Sequence, residues 1–129
     1  MTDLKEWKIL LAEDNRINQR IAAITLRQMG ISVDIASNGK EALEMYRDKQ
    51  YQLILMDMQM PVMDGLEATR LIRALEKETG SENRVFIVAL TANFISEKRE
   101  ECLLAGMDEF MEKPFQEQTL RAMFSKYFK

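Results

Sequence analysis

The sequence predicts an α/β protein in which one parallel sheet carries helices on both faces. Three observations predict it. Short apolar runs rich in branched residues recur at 7–12, 32–36, 52–57, 85–90 and, more weakly, 108–112, and a stretch with helical spacing follows each of them. The runs 7–12, 52–57 and 85–90 read as continuously apolar, as strands buried on both faces should. Strict strand-helix alternation with right-handed crossovers then makes a doubly wound sheet the economical arrangement.

The first run, Trp7-Lys8-Ile9-Leu10-Leu11-Ala12, ends in the acid pair Glu13-Asp14. In the helix after it Ile17, Ile21 and Ile24 recur at helical intervals, and Gly30 stands where a C-terminal cap belongs. Asn38 is placed to cap a second helix whose Ala42, Leu43 and Tyr46 face the core. The third run drives straight into Asp57, and the chain then breaks into the Pro- and Gly-punctuated stretch Met60-Pro61-Val62-Met63-Asp64-Gly65. A third helix over 65–78 turns Leu66, Thr69, Ile72 and Leu75 inward, keeps Glu67, Arg70, Arg73 and Glu76 wet, and stops at Gly80. The segment Gly80-Ser81-Glu82-Asn83 reads as a loop. A fourth helix, 96–105, is opened by Ser96 and closed by Gly106; a fifth, 116–128, follows Pro114 and presents Leu120, Met123, Phe124 and Tyr127.

The length of 129 residues suits a single domain, 1–129, that buries about two-thirds of its unfolded surface. A net charge of −3 argues against a general nucleic-acid or membrane-surface binder, either of which needs a basic patch. Cys102 is the lone cysteine, residues 1–6 lack the features of a signal peptide, and no apolar stretch approaches the roughly 20 residues that span a bilayer. A soluble protein of a reducing cytoplasm is expected. Histidine is absent, so His-based triads, His-metal sites and a His general base are excluded within this chain.

In open parallel sheets ligands bind beyond the carboxyl ends of the strands. Those ends carry Glu13-Asp14, Asp57, Thr91 and Lys113. Three converging carboxylates repel one another, and a hard divalent cation such as Mg²⁺ relieves that repulsion while recruiting phosphate oxygens. Lys113 and Thr91 add an ammonium and a hydroxyl, the donors that a transferring phosphoryl group needs around its equatorial oxygens. Asp57, alone on the middle strand, is the expected nucleophile, and Glu13-Asp14 the expected metal ligands. Taken singly the residues have plainer readings: Asp14 and Asn15 as helix caps, Asp57 as a loop acid, Lys113 as a strand end.

Together these positions carry a resemblance. The acidic pair Glu13-Asp14, Asp57 before Met60-Pro61 and Asp64-Gly65, Thr91-Ala92, and Lys113-Pro114-Phe115 resemble the receiver domain of two-component response regulators from about Ile9 to the final helix. The stretches Leu11-Ala12-Glu13-Asp14-Asn15-Arg16-Ile17-Asn18-Gln19 and Met56 to Gly65 look most like receivers of hybrid sensor histidine kinases. The resemblance implies a flavodoxin-like (βα)5 sheet of order 2-1-3-4-5. It implies a phosphorelay function in which Asp57 accepts a phosphoryl group from the phosphohistidine of a histidine kinase or histidine phosphotransfer protein.

By the same resemblance Glu13 or Asp14, Asp57 and the backbone carbonyl of Gln59 hold Mg²⁺ (or Mn²⁺), and Lys113 pairs with the phosphoryl group. Glu13 stands where many receivers have Asp. Thr91 and Phe110 are the switch pair, Phe110 alternatively being a plain core residue, and helix 4, strand 5 and helix 5 form the readout surface. Gln59 and Asn93 occupy positions that tune phosphoryl lifetime. The competing expectations are an Mg²⁺-dependent aspartyl-phosphate phosphatase or phosphotransferase, and a pseudo-receiver that only binds partners. The first is disfavoured by Gln59 where such enzymes carry a second acid. The absence of G-x-x-x-x-G-K-[ST] and G-x-G-x-x-G patterns disfavours a nucleotide module.

Overall fold

The computed structural model of the chain describes residues 7–80, 84–92 and 96–127. Strands β1 (Ile9–Ala12), β2 (Val33–Ala36), β3 (Leu53–Asp57), β4 (Phe86–Thr91) and β5 (Glu109–Glu112) alternate with helices α1 (Arg16–Gln28), α2 (Gly39–Asp48), α3 (Gly65–Thr79), α4 (Ser96–Ala105) and α5 (Glu117–Tyr127). All strand pairs are parallel, in the order β2-β1-β3-β4-β5. The architecture is the one expected. Residues 81–83 of the predicted loop, and Asn93, lie outside the described residues. No described helix is long and apolar enough to cross a membrane.

Alternation along the strands divides the core in two, because successive side chains point to opposite faces of a sheet. Leu10, Ala12, Ile54, Met56, Ile87 and Ala89 pack with Ala42 and Leu43 of α2, Ala68 and Ile72 of α3, and Cys102 of α4. Ile9, Leu11, Leu53, Leu55, Val88 and Leu90 pack with Ala22 and Leu26 of α1 and with Leu120, Met123 and Phe124 of α5. Each of these larger side chains contributes about 1.5–3 kcal/mol by leaving water. Both faces being covered, β1 and β3 are buried along their whole length.

Helix starts are set by side-chain caps. Asn15 Oδ1 accepts from Asn18 N, Asn38 Oδ1 from Glu41 N and Asp64 Oδ1 from Glu67 N, each cap satisfying an otherwise orphaned donor for about 1 kcal/mol. The plainer reading of Asn15 therefore holds beside the functional reading of its neighbour. Asn15 does the capping and leaves Asp14 outside the cap.

One helical pattern points outward and one expected face is corrected. Ile17, Ile21 and Ile24 are 69%, 42% and 56% exposed, and α1 buries Ala22 and Leu26 instead. The helical spacing located the helix without locating its core side, since apolar residues run along both flanks. On α3, Glu67 and Arg70 are exposed as expected, but Glu76 is buried and Arg73 largely so. Their partners lie far along the chain. The Arg73 guanidinium donates to Gly106 O, Val85 O, Glu76 Oε1 and Asp108 Oδ2, each at 2.8 Å.

Glu76 Oε2 accepts from Val85 N at 2.7 Å and from Tyr46 Oη at 3.2 Å, and Asp108 Oδ2 accepts from Ile87 N at 2.9 Å. Burial and the Glu76 carboxylate push the Tyr46 hydroxyl up to about 12. Gly106, at φ +108°, completes the arrangement: a Cβ there would come within 2.7 Å of Arg73 Cγ. The network ties α3 to the starts of β4 and β5. Because it strips buried Glu76 of its cation and leaves Asp108 only the more exposed Arg84, Arg73→Ala should cost about 3 kcal/mol in a urea titration. Arg73→Lys should recover little of the loss, since one ammonium cannot span four acceptors arranged for a planar fork.

Candidate functional site at the carboxyl edge of the sheet

The parallel register brings the expected residues together. Ala12 lies opposite Met56 and Leu90 opposite Asp57, so β1, β3 and β4 end level with one another. Glu13 follows β1, its N–H bonded to Ala36 O at 3.0 Å, and is 1% exposed; Asp57 ends β3 and is 3% exposed. Asp14 is exposed beside them. Carboxylate oxygens of Glu13, Asp14 and Asp57 all lie within 4.8 Å of one another.

Lys113, directly after β5, reaches across the sheet end to this cluster. Its Nζ stands 2.9 Å from Asp57 Oδ2 and 3.2 Å from Glu13 Oε1. Burial works against its ammonium, but the hydrogen bond and charge of Asp57, with Glu13 behind them, outweigh it and hold the group above the usual lysine value. Three carboxylates face one ammonium. That leaves an excess of negative charge around oxygen donors, the donor set of a hard divalent cation.

A cleft of ≈ 300 Å³ opens here, lined among others by Asp14, Gln59, Thr91 and Lys113. Gln59 donates its N–H to Asp57 Oδ1 at 3.2 Å, and Thr91 ends β4, buried, at the cleft wall. Phe110 is half-buried on β5. It pairs in register with Ala89, two residues before Thr91 and on the same face, and the Arg99 guanidinium lies over its ring at 4.8 Å from the centroid. The structure thus brings Glu13, Asp14, Asp57, Gln59, Thr91 and Lys113 into one cleft, while Phe110 lies outside its lining, packed against the core.

The loop after β3 packs back tightly against the end of that strand. Gly65 packs so closely that a Cβ would meet the Asp57 carbonyl oxygen at 2.2 Å, and its N–H bonds Met58 O at 3.1 Å. Only a residue without a side chain fits there. Val62, 77% exposed at φ +70°, forms the turn in which Met63 N bonds Pro61 O at 2.7 Å. Sequence reasoning missed two further residues. Asn18 lines the cleft, and Gln19 donates Nε2–H to the Glu13 carbonyl at 2.6 Å. Their position in the first turn of α1 was the available signal.

A lysine held above its unfolded-state value stabilises the fold fully below the ordinary lysine pKa, and that contribution is lost as pH rises through the elevated folded value. The stability difference between the parent and Lys113→Met should therefore be constant from pH 7 to 9 and shrink above about 10.5, as read by denaturant titrations along the pH axis.

Comparisons with known proteins agree with this geometry. The family model for the response regulator receiver domain matches residues 9–125. Histidine kinase 5 of Arabidopsis thaliana is 42% identical over 98% of this chain, and hybrid signal transduction histidine kinase B of Dictyostelium discoideum is 47% identical over 83% of it. The chain spans only 16% and 6% of those two proteins. Among solved structures, the receiver domain of Saccharomyces cerevisiae Ssk1, in complex with the histidine phosphotransfer protein Ypd1, superposes with a TM-score of 0.89 at 35% identity, covering 98% of this chain and 91% of that one. The receiver domain of a Pseudomonas aeruginosa sensor histidine kinase, with a magnesium ion coordinated in its active-site cleft, gives 0.80 at 41% identity, covering 94% and 96%. The chain belongs to the response regulator receiver family.

Proposed function

We propose that this domain is a phosphorelay receiver whose phosphoacceptor is Asp57. The observation that carries the reading is the Lys113-Asp57-Glu13 cluster with Asp14 beside it, at the mouth of the sheet. A carboxylate oxygen of Asp57 attacks the phosphorus of a partner's phosphohistidine. The O–P bond forms as the N–P bond breaks, and the imidazole leaves with the electron pair of that bond. Lys113 pairs with the negative charge spread over the equatorial phosphoryl oxygens. Its contact with Asp57 places it there beforehand.

Glu13, Asp14, Asp57 and the backbone carbonyl of Gln59 would hold Mg²⁺ or Mn²⁺. When bound, the ion neutralises the crowded carboxylates and the incoming phosphoryl oxygens. Thr91 shifts towards the phosphoryl group, Phe110 turns inward behind it, and the surface of α4, β5 and α5 changes accordingly. Phe110 has no hydroxyl, so burial more than hydrogen bonding favours its inward state. Gln59 and Asn93 tune the lifetime of the acyl phosphate.

The donor is a histidine kinase or histidine phosphotransfer protein, and the domain works in the cytoplasm, either alone or within a hybrid kinase. The similarity to Ssk1, solved with Ypd1, supports a phosphotransfer protein. So does the apolar flank of α1, where Ile17, Ile21 and Ile24 stand exposed on the helix that begins beside the cleft. A donor seated there would bring its imidazole to Asp57.

Incubation with acetyl phosphate and Mg²⁺ should label the parent at Asp57 and leave Asp57→Asn unlabelled, as read by intact mass; an unlabelled parent would sink the reading. Mg²⁺ should also raise the melting temperature of the parent, by binding the native state preferentially, and raise that of Asp57→Asn less. In the double variant Ile17→Ala/Ile24→Ala, phosphoryl transfer from a phosphotransfer protein should slow about tenfold or more while labelling by acetyl phosphate is unchanged. Equal slowing of both reactions would remove α1 as the docking face.

A further inference from the structure

We infer that Gln19 is a positioning residue of the metal site, acting through the Glu13 carbonyl to aim the Asp14 carboxylate at Asp57. The inference rests on the proposed cation site and assigns a role to a residue outside it. Every polar atom of Glu13 is engaged. Its N–H bonds Ala36 O at 3.0 Å, Oε1 accepts from Lys113 Nζ at 3.2 Å, Oε2 accepts from Asn15 N at 3.1 Å, and its carbonyl accepts Gln19 Nε2–H at 2.6 Å.

The first of these bonds belongs to the sheet, and the next two hold the Glu13 side chain against the site and the start of α1. Among the described residues the Gln19 bond is the one hydrogen bond made directly to the peptide between Glu13 and Asp14, and it holds the plane of that peptide. That plane sets where Cα and Cβ of Asp14 go, because the peptide unit is rigid. Among the described residues no hydrogen bond or ion pair holds the Asp14 carboxylate itself, yet it reaches within 4.8 Å of the other two acids. Its direction is therefore inherited from the backbone.

Gln19 is suited to the task. Its own N–H bonds Asn15 O at 2.9 Å in the first turn of α1, so the side chain is anchored in a helix and bends back over the loop it clamps. Buried at the end of β1, the Glu13 carbonyl would otherwise lose its partner, which costs about 1–3 kcal/mol or forces the peptide to rotate. Rotation would swing Asp14 away from Asp57.

Titration of the whole chain with MgCl2 by calorimetry tests this. Gln19→Leu, which keeps bulk and removes the donor, should weaken the Mg²⁺ Kd about tenfold, the lower end of what partners of metal ligands usually contribute. Gln19→Glu separates positioning from charge. Another carboxylate near the site would tighten Mg²⁺ binding if charge alone mattered, whereas loss of the donor predicts weaker binding. The Asp14 amide resonance should shift in both variants without Mg²⁺.

A Kd within twofold of the parent for Gln19→Leu, or a tighter Kd for Gln19→Glu, overturns the inference; should Gln19→Leu fail to fold by circular dichroism, Gln19→Met takes its place. A parent that binds Mg²⁺ alongside unchanged variants defeats only the role of Gln19. A parent with no Mg²⁺ binding defeats the metal site, and the inference with it.

Discussion

Like charges forced together at the end of a sheet are the constraint to which the rest of the molecule answers. Glu13 and Asp57 are both almost fully buried, and burying one ionised carboxylate without a partner is costly in a medium that solvates it poorly. Lys113 offsets part of that cost by bonding both. It does so from the far side of β4, which requires β5 to sit at the sheet edge and to end level with Thr91, as the pairing of Thr91 with Glu112 secures. The register of the parallel strands and the charge balance of the site are thus one requirement. What Lys113 leaves over, a net excess of acid in an open cleft, favours a cation, whose positive charge would in turn favour phosphoryl oxygens.

How much of this was legible in the sequence depends on the range of the interaction. The strand that ends in Asp57 could be read because an apolar run reports burial locally, and the positions of Glu13, Asp14, Thr91 and Lys113 could be read because parallel topology sends strand ends to one edge. The faces of α1 could not. Ile17, Ile21 and Ile24 satisfy a helical period, but so do Ala22 and Leu26, and only packing against β1 and β3 selects the latter pair.

Arg73 and Glu76 were misread as solvated for a related reason. Their charges mark them as surface residues in any local window, while their partners Val85 and Asp108 lie 12 and 35 residues from Arg73. Gln19 belongs to the same class, six residues from the carbonyl it holds. Polar side chains whose partners come from another element leave no periodic trace. The placement of the cluster was therefore legible, and its support was not.

The Arg73 network sits at the opposite end of the strands from the acid cluster, and there the charges are mutually satisfied: each acid has its guanidinium and its backbone amides. The domain is thus chemically polar along its strand axis, closed at one end and left hungry at the other. Substitutions at the closed end will be felt as fewer folded molecules, those at the open end as altered chemistry in addition to any loss of stability. Such a division separates the residues that shape the cleft from those that supply stability at α3 and the strand starts.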